Sequence, residues 1–179
     1  MGRNHLRGPW RVRCLVALAL SAGWVMAGEA IGPKPVGVKA SAYEQKSKGG
    51  FADFPPELTI DGSLAANSSW RAEGDGQWIE YDLGQAQTLA GLQLAFFKGD
   101  SRQYRFEVLG SKTGQANDWQ PVLKAQASSG KSAGLETYAF APVAVRHVRI
   151  VGHGCTDEKN PHWINILEVA FVPAPPKAE

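Results

Sequence analysis

Apolar and polar residues alternate along several short segments between residues 79 and 172. In the series Ile79, Tyr81 and Leu83, polar or charged residues occupy the positions between the apolar ones. Alternation with a period of two places apolar side chains on one face of a β-strand. The same pattern predicts further strands at Leu89–Phe97, Tyr104–Val108, Trp119–Leu123, Gly134–Phe140, Val143–Val151 and Ile164–Val172.

The segments between these predicted strands are rich in glycine and aspartate. Gly84 is expected to end the first strand, and the segment 98–103 reads as a turn. No segment shows the 3.6-residue apolar stripe of an amphipathic helix. Many short strands separated by turn residues favour an all-β fold, either an antiparallel sandwich or a barrel.

The N-terminal segment has the pattern of an export signal. Four arginines precede an apolar run, Cys14–Ala27, that ends in small residues, and this order is typical of a signal peptide. A retained N-terminal anchor is the alternative. We therefore expect a signal peptide over 1–27, an extended lead-in over 28–37, one domain over 38–172 and a Pro-rich tail over 173–179. The expected location is secreted or periplasmic, without membrane insertion after cleavage.

Removing the leader changes the charge and cysteine content. The whole chain has 19 Lys and Arg against 17 Asp and Glu; four arginines and no acids lie in the leader, which leaves 15 against 17. A near-neutral domain gives no electrostatic argument for nucleic-acid binding. Cys155 is then the one remaining cysteine. It is either a tolerated, partly buried thiol or, with His153 two residues away, a nucleophile.

Several short motifs occur in a defined order across the domain. They include Thr59-Ile-Asp-Gly62, Gly76-Gln-Trp-Ile79, Asp82-Leu-Gly84 and Val148-Arg-Ile150. Together they resemble the F5/8 type C (discoidin) domain, and in particular the bacterial carbohydrate-binding modules of family 32. The segments around Gly74–Trp78, Phe97–Arg102 and Arg149–Gly154 resemble the subgroup attached to alginate lyases and related polysaccharide lyases. The resemblance implies a galactose-binding-like jelly-roll β-sandwich with ligand loops at one end.

The resemblance also implies a structural calcium ion. Carried over to this sequence, its ligands are the side chains of Asp61 and Glu168, an oxygen of Ser68, and backbone oxygens of Leu58 and Ser63. Calcium prefers six to eight hard oxygen ligands, and a tight glycine turn presents several carbonyls. The loop from Asp61 to Trp70 is longer than the common form of the family, and Ser63 replaces a frequent aspartate. An ordinary Asp-Gly turn without metal is the alternative.

Two loops carry the chemistry that an acidic sugar requires. Guanidinium or ammonium groups pair with its carboxylate, and amides and aromatic rings complete the contacts. We expect Lys98, Arg102 and His153 to contact the sugar, Asn165 to form a hydrogen bond and Trp163 to stack on the ring. The alternatives are that Lys98 and Arg102 cap a turn or pair with Asp100, that His153 is structural, and that Trp163 belongs to the core.

The leading functional hypothesis is a secreted, non-catalytic protein that binds acidic, uronic-acid polysaccharides such as alginate. A separate secreted polysaccharide-degrading enzyme is a candidate partner. One alternative is a protein- or cell-surface-binding adhesion module, for which Phe51–Phe54 would be the exposed apolar segment. The other is a small polysaccharide lyase, although the catalytic motifs of jelly-roll alginate lyases are absent from the sequence.

Overall fold

The computed structural model describes residues 32–45 and 53–176. The predicted signal peptide and Phe51 lie outside these ranges. The elements within them are strands β1 (Gly37–Ala40), β2 (Trp70–Glu73), β3 (Gln77–Phe96), β4 (Tyr104–Ser111), β5 (Gln120–Ala127), β6 (Glu136–Cys155) and β7 (Trp163–Pro173), and a 3₁₀ helix at Pro56–Thr59. No helix in the described part of the chain is long and apolar enough to cross a membrane.

The long strands β3 and β6 pair with each other in antiparallel fashion along most of their length. Their register runs from Gln77 opposite Gly152 to Leu94 opposite Glu136, with irregularities between residues 82 and 87 and between 89 and 91. Strand β1 pairs with the first part of β3, and β4 pairs with the last part of β6 and with β5. Strand β7 pairs with the second part of β3 and with β2. Each long strand therefore contributes to two layers.

Aromatic contacts join the two layers into one core. The ring of Phe96 in β3 stacks on Tyr104 in β4, with centroids 4.8 Å apart. The Phe106 ring, also in β4, meets Tyr138 of β6 edge-on at 4.9 Å. Such pairs add to the free energy gained by burying the rings. The apolar positions predicted from the alternation, including Ile79, Leu92 and Leu94, are fully buried. The predicted antiparallel β-sandwich is confirmed.

The predicted strand boundaries differ from the observed ones at the bends. Gly84 does not end a strand but lies inside β3, with a positive φ of 78°. Its N–H donates a hydrogen bond to the Asp82 carboxylate at 2.8 Å, so a glycine bend replaces the expected turn. The two strands predicted at 134–140 and 143–151 are likewise one strand, β6. The chain also stays paired beyond Val172, because Pro173 lies opposite Leu89 and Ala174 N donates to Thr88 O.

Candidate functional site

A pocket of about 230 Å³ lies where β2 and β7 meet the end of β3. Arg71 of β2 is paired with Asn165 of β7, and Phe97 N donates to Asn165 O at 3.1 Å. These backbone bonds bring three distant parts of the sequence together. The residues that line the pocket are Glu44, Arg71, Phe97, Arg102, Tyr104, Asn160, Trp163 and Asn165.

Arg71 is held rigidly on one side of this pocket. Its Nε donates to Ser69 Oγ at 3.1 Å and its Nη2 donates to Ala66 O at 2.8 Å. Its Nη1 lies 3.6 Å from a carboxylate oxygen of Glu44, and its guanidinium lies 3.6 Å above the ring of Phe54. Burial lowers the pKa of Arg71, while the Glu44 carboxylate opposes this effect. An arginine remains charged despite such a shift, so the pocket contains a fixed positive charge.

Three cationic groups surround the ring of Phe97. The charged ends of Arg71, Lys98 and Arg102 lie 5.3, 5.5 and 5.5 Å from its centroid. These distances are within the range of cation–π attraction. Arg102 also forms a 2.7 Å ion pair through Nη2 with Asp157. An aromatic ring with three adjacent cations offers both a stacking surface and positive charge to a ligand.

Two polar groups complete the pocket. Asn165 is 6% exposed, and its Oδ1 has no hydrogen-bond partner among the described residues. A buried acceptor without a partner raises the free energy of the folded state, and a ligand hydroxyl would relieve this. Tyr104 donates its hydroxyl to Phe97 O at 2.8 Å. Burial raises the pKa of Tyr104 to about 12, so this residue is a neutral donor that fixes the Phe97 backbone.

The structure brings some of the predicted ligand-binding residues together and separates others. Arg102, Trp163 and Asn165 line the pocket, and Lys98 lies against its Phe97 ring. His153 does not line it, because its Nδ1 is 2.7 Å from Asp75 Oδ1 and its Nε2 is 3.7 Å from Glu107 Oε1. Its contact with an acidic sugar stays a prediction that this geometry does not favour.

The sequence analysis did not identify several lining residues. Arg71, Glu44, Tyr104 and Asn160 were missed, and Arg102 pairs with Asp157 rather than with Asp100. The alternation of residue types around Arg71 could have identified it. Arg71 lies between Trp70 and Ala72, which are both fully buried. A strand places such a residue on the face opposite the core.

The predicted calcium ligands are grouped around the Asp61–Gly62 turn. Asp61 accepts hydrogen bonds from Ser63 N at 2.8 Å and from the Ser68 hydroxyl. Glu168, from the distant strand β7, accepts one from Gly62 N at 3.1 Å. Leu58 lies in the adjacent 3₁₀ helix. The turn and the last strand therefore place two carboxylates and a hydroxyl side by side.

The chemistry of this oxygen-rich group fits a calcium ion. Burial, together with the nearby Asp61 carboxylate, raises the pKa of Glu168 to about 7. A divalent cation would keep both carboxylates ionised. No cluster of three or more His, Cys, Asp or Glu side chains suited to a metal occurs in the described ranges. The predicted set has two carboxylates, with hydroxyl and carbonyl oxygens as its other members.

Comparisons with known proteins agree with this architecture. The carbohydrate-binding module of family 32 from AlyQ, solved with 4,5-unsaturated mannuronic acid, is 33% identical, with 80% of this chain and 99% of that chain covered and a TM-score of 0.69. A pectin-binding carbohydrate-binding module is 26% identical, with 80% and 94% covered and a TM-score of 0.66.

A more distant relative has the same fold. The family 32 module of Clostridium perfringens NanJ, solved with galactose, is 15% identical, with 75% and 91% covered and a TM-score of 0.58. No curated protein sequence matched the chain. The structural relatives support carbohydrate binding. The model of the F5/8 type C domain matches residues 38–169, and the chain belongs to this family.

Proposed function

We propose that this protein is a secreted or periplasmic, non-catalytic binder of acidic polysaccharide, with uronic acids such as those of alginate as its ligands. The observation that carries the proposal is the group of three cations around Phe97, next to the unpaired Oδ1 of Asn165. The bound 4,5-unsaturated mannuronic acid and the pectin of two similar modules support the same ligand class.

Each part of a uronic acid has a partner of suitable chemistry in the pocket. A sugar carboxylate pairs with guanidinium groups. Of the two arginines that line the pocket, Arg71 and Arg102, the second is the stronger candidate. Its Nη2 pairs with Asp157 and its side chain interacts with the Tyr104 hydroxyl, which leaves further N–H donors for a ligand because a guanidinium has five. A sugar hydroxyl can donate to Asn165 Oδ1, and the apolar face of the sugar ring can pack on Phe97 or Trp163. Neutral sugars offer the hydroxyl and the apolar ring face but lack the carboxylate that pairs with a guanidinium.

The pocket is better suited to binding than to catalysis. A lyase needs a base whose pKa lies near the working pH. Tyr104 has a pKa of about 12 and its hydroxyl is used by Phe97 O. The pocket lining contains no histidine within the part of the chain that the structure describes. Phe54, part of the segment considered for adhesion, is buried beneath Arg71 and does not project outwards.

Calcium is proposed as a structural ligand at Asp61 and Glu168, with Ser68 and backbone oxygens of Leu58 and Ser63. The site is formed by the turn after the 3₁₀ helix and by β7, and β7 also carries Asn165 into the sugar pocket. A bound ion would therefore restrain the strand that supports the ligand. A separate secreted polysaccharide-degrading enzyme remains a proposed partner.

Isothermal titration of the protein with oligomannuronate, oligogalacturonate and neutral galacto-oligosaccharides tests the proposal. We expect binding to the acidic sugars, weakened by salt because exposed charges are screened. The variant Arg102→Ala should lose about tenfold or more in affinity, as expected when a charge-assisted hydrogen bond is removed. Lys124→Ala, on exposed β5, is the matched control and should bind normally. Binding of neutral sugars alone would contradict the proposal, and turnover to unsaturated products would contradict its non-catalytic part.

A further inference from the structure

A second depression, of about 410 Å³, adjoins the Phe97 pocket. It is lined by Lys98, Ser101, Arg102, Thr156, Asp157, Glu158 and Lys159. Arg102 lines both spaces, so they are neighbouring parts of one surface. The first space, at about 230 Å³, is smaller than the roughly 300–1,000 Å³ typical of pockets for drug-sized ligands. It therefore suits a single sugar ring rather than a longer chain.

The charges of the second depression are unequally engaged. Asp157 accepts hydrogen bonds from Lys159 N at 3.3 Å and Asn160 Nδ2 at 3.0 Å, and it pairs with Arg102. By contrast, the ammonium groups of Lys98 and Lys159 form no ion pair within the described ranges, and both residues are exposed. These two cations have no close ion-pair partner, although Lys98 also acts electrostatically on Asp157, and Glu158 is the second carboxylate of the lining.

Backbone hydrogen bonds fix the two loops that bear these cations. Ser101 N and Arg102 N both donate to Lys98 O, at 3.0 and 2.9 Å. Gln103 N donates to the Thr156 hydroxyl at 3.0 Å, and Thr156 N donates back to Gln103 O at the same distance. The loops are therefore tied to each other before any ligand arrives. A site that is ordered in advance loses less entropy on binding.

We propose that this depression is a second subsite, which binds the carboxylate of the sugar adjacent to the one held at Phe97. Lys98 and Lys159 pair with that carboxylate, and Arg102 lies between the two sugars. Ser101, Thr156 and Glu158 provide hydrogen-bonding groups for hydroxyls. The protein then recognises two consecutive uronic acids of one chain. This inference rests on the proposed function, since it assumes that the Phe97 pocket binds an acidic sugar.

The length dependence of binding tests the second subsite. Saturated oligomannuronates of one to four units are titrated into the full chain by calorimetry at fixed salt. We expect affinity to rise about tenfold from the monomer to the dimer, the gain from one additional charge-assisted contact. The variant Lys159→Ala, which changes a residue of the second depression that does not line the Phe97 pocket, should lose most of this gain, and the salt dependence of dimer binding should decrease with it. Its affinity for the monomer should remain that of the wild type.

Other results separate this inference from the function on which it rests. Equal affinity for monomer and dimer, or equal weakening of both in Lys159→Ala, would overturn the second subsite while leaving acidic-sugar binding intact. No binding of any acidic sugar by the wild type would overturn both. Lys124→Ala removes one exposed lysine outside both pockets and should retain the full gain with length.

Discussion

Replacing Glu80 by glutamine should destabilise the protein more than its position on the outer face of a strand suggests. The Glu80 side chain is 3% exposed and faces three basic groups: Arg149 Nη2 at 2.8 Å, Lys39 Nζ at 3.2 Å and His147 Nδ1 at 3.5 Å. The Arg149 guanidinium lies between the rings of Trp78 and Trp119, 4.2 and 4.0 Å from their centroids. Glu80 is thus a buried carboxylate that balances a cation whose side chain is 20% exposed.

The size of the effect follows from this burial. Removing one partner of a buried ion pair costs about 3–5 kcal/mol, because the other charge is left without a counterion. The lower end applies here, since Lys39 is 64% exposed and the tryptophan rings still contact Arg149. A loss of about 3 kcal/mol corresponds to a decrease in Tm of about 10 °C for a chain of this size.

Urea denaturation followed by tryptophan fluorescence, at neutral pH and moderate salt, measures this loss. The matched control is Asp82→Asn, two residues along the same strand. Asp82 pairs with Arg146, whose side chain is 44% exposed, and such a pair contributes below about 1 kcal/mol. The amide of the variant retains an oxygen that can accept the Gly84 N–H. If Glu80→Gln lost no more stability than Asp82→Asn, the electrostatic reasoning for this cluster would be refuted.

Three further predictions concern the pocket and the calcium site. Tyr104→Phe removes the hydroxyl that donates to Phe97 O, so the free energy of unfolding should fall by about 1 kcal/mol. Calorimetry should also show weaker binding of acidic sugars, and an unchanged affinity would exclude a positioning role for Tyr104. Calcium at 100 times its Kd should stabilise the wild type by about 2.7 kcal/mol in thermal denaturation, and Asp61→Asn should remove most of this gain; equal gains in both proteins would place calcium elsewhere. In calcium-free buffer the raised pKa of Glu168, about 7, means that the folded state binds more protons than the unfolded state between the two pKa values. The stability that Glu168 contributes should be complete below its unfolded pKa and lost as the pH rises through about 7, and Glu168→Gln should remove this part of the pH profile.

The sequence was sufficient for the fold class because alternation alone identifies which side chains face inwards. The buried series of Ile79 and Tyr81, or of Leu92 and Leu94, required no knowledge of pairing. The bends were not predictable in the same way. A glycine at the end of an alternating series is compatible with a turn or with a bulge inside a longer strand. Gly84 lies at a bulge inside β3.

The candidate site was only partly predictable, for a topological reason. Arg102 and Asn165 were identified as charged or amide residues of loops and line the pocket together. Arg71 reaches them because β2 pairs with β7 in a register that sets it opposite Asn165. Such a register between segments more than ninety positions apart is not encoded in any local pattern. His153 illustrates the converse, since the predicted loop residue lies at the end of strand β6 and faces Asp75.

The pairing of β3 with β6 determines when the protein can fold during synthesis. Every residue pair between these two strands joins a position between 77 and 94 to one between 136 and 152. Strand β3 therefore leaves the ribosome after the short β1 that pairs with its first part but long before β6 exists, and most of its apolar face stays exposed until nearly the whole domain has been made. Proteins dominated by such distant pairings fold slowly and expose aggregation-prone strands. The β3–β6 ladder is therefore complete only after residue 152 has emerged.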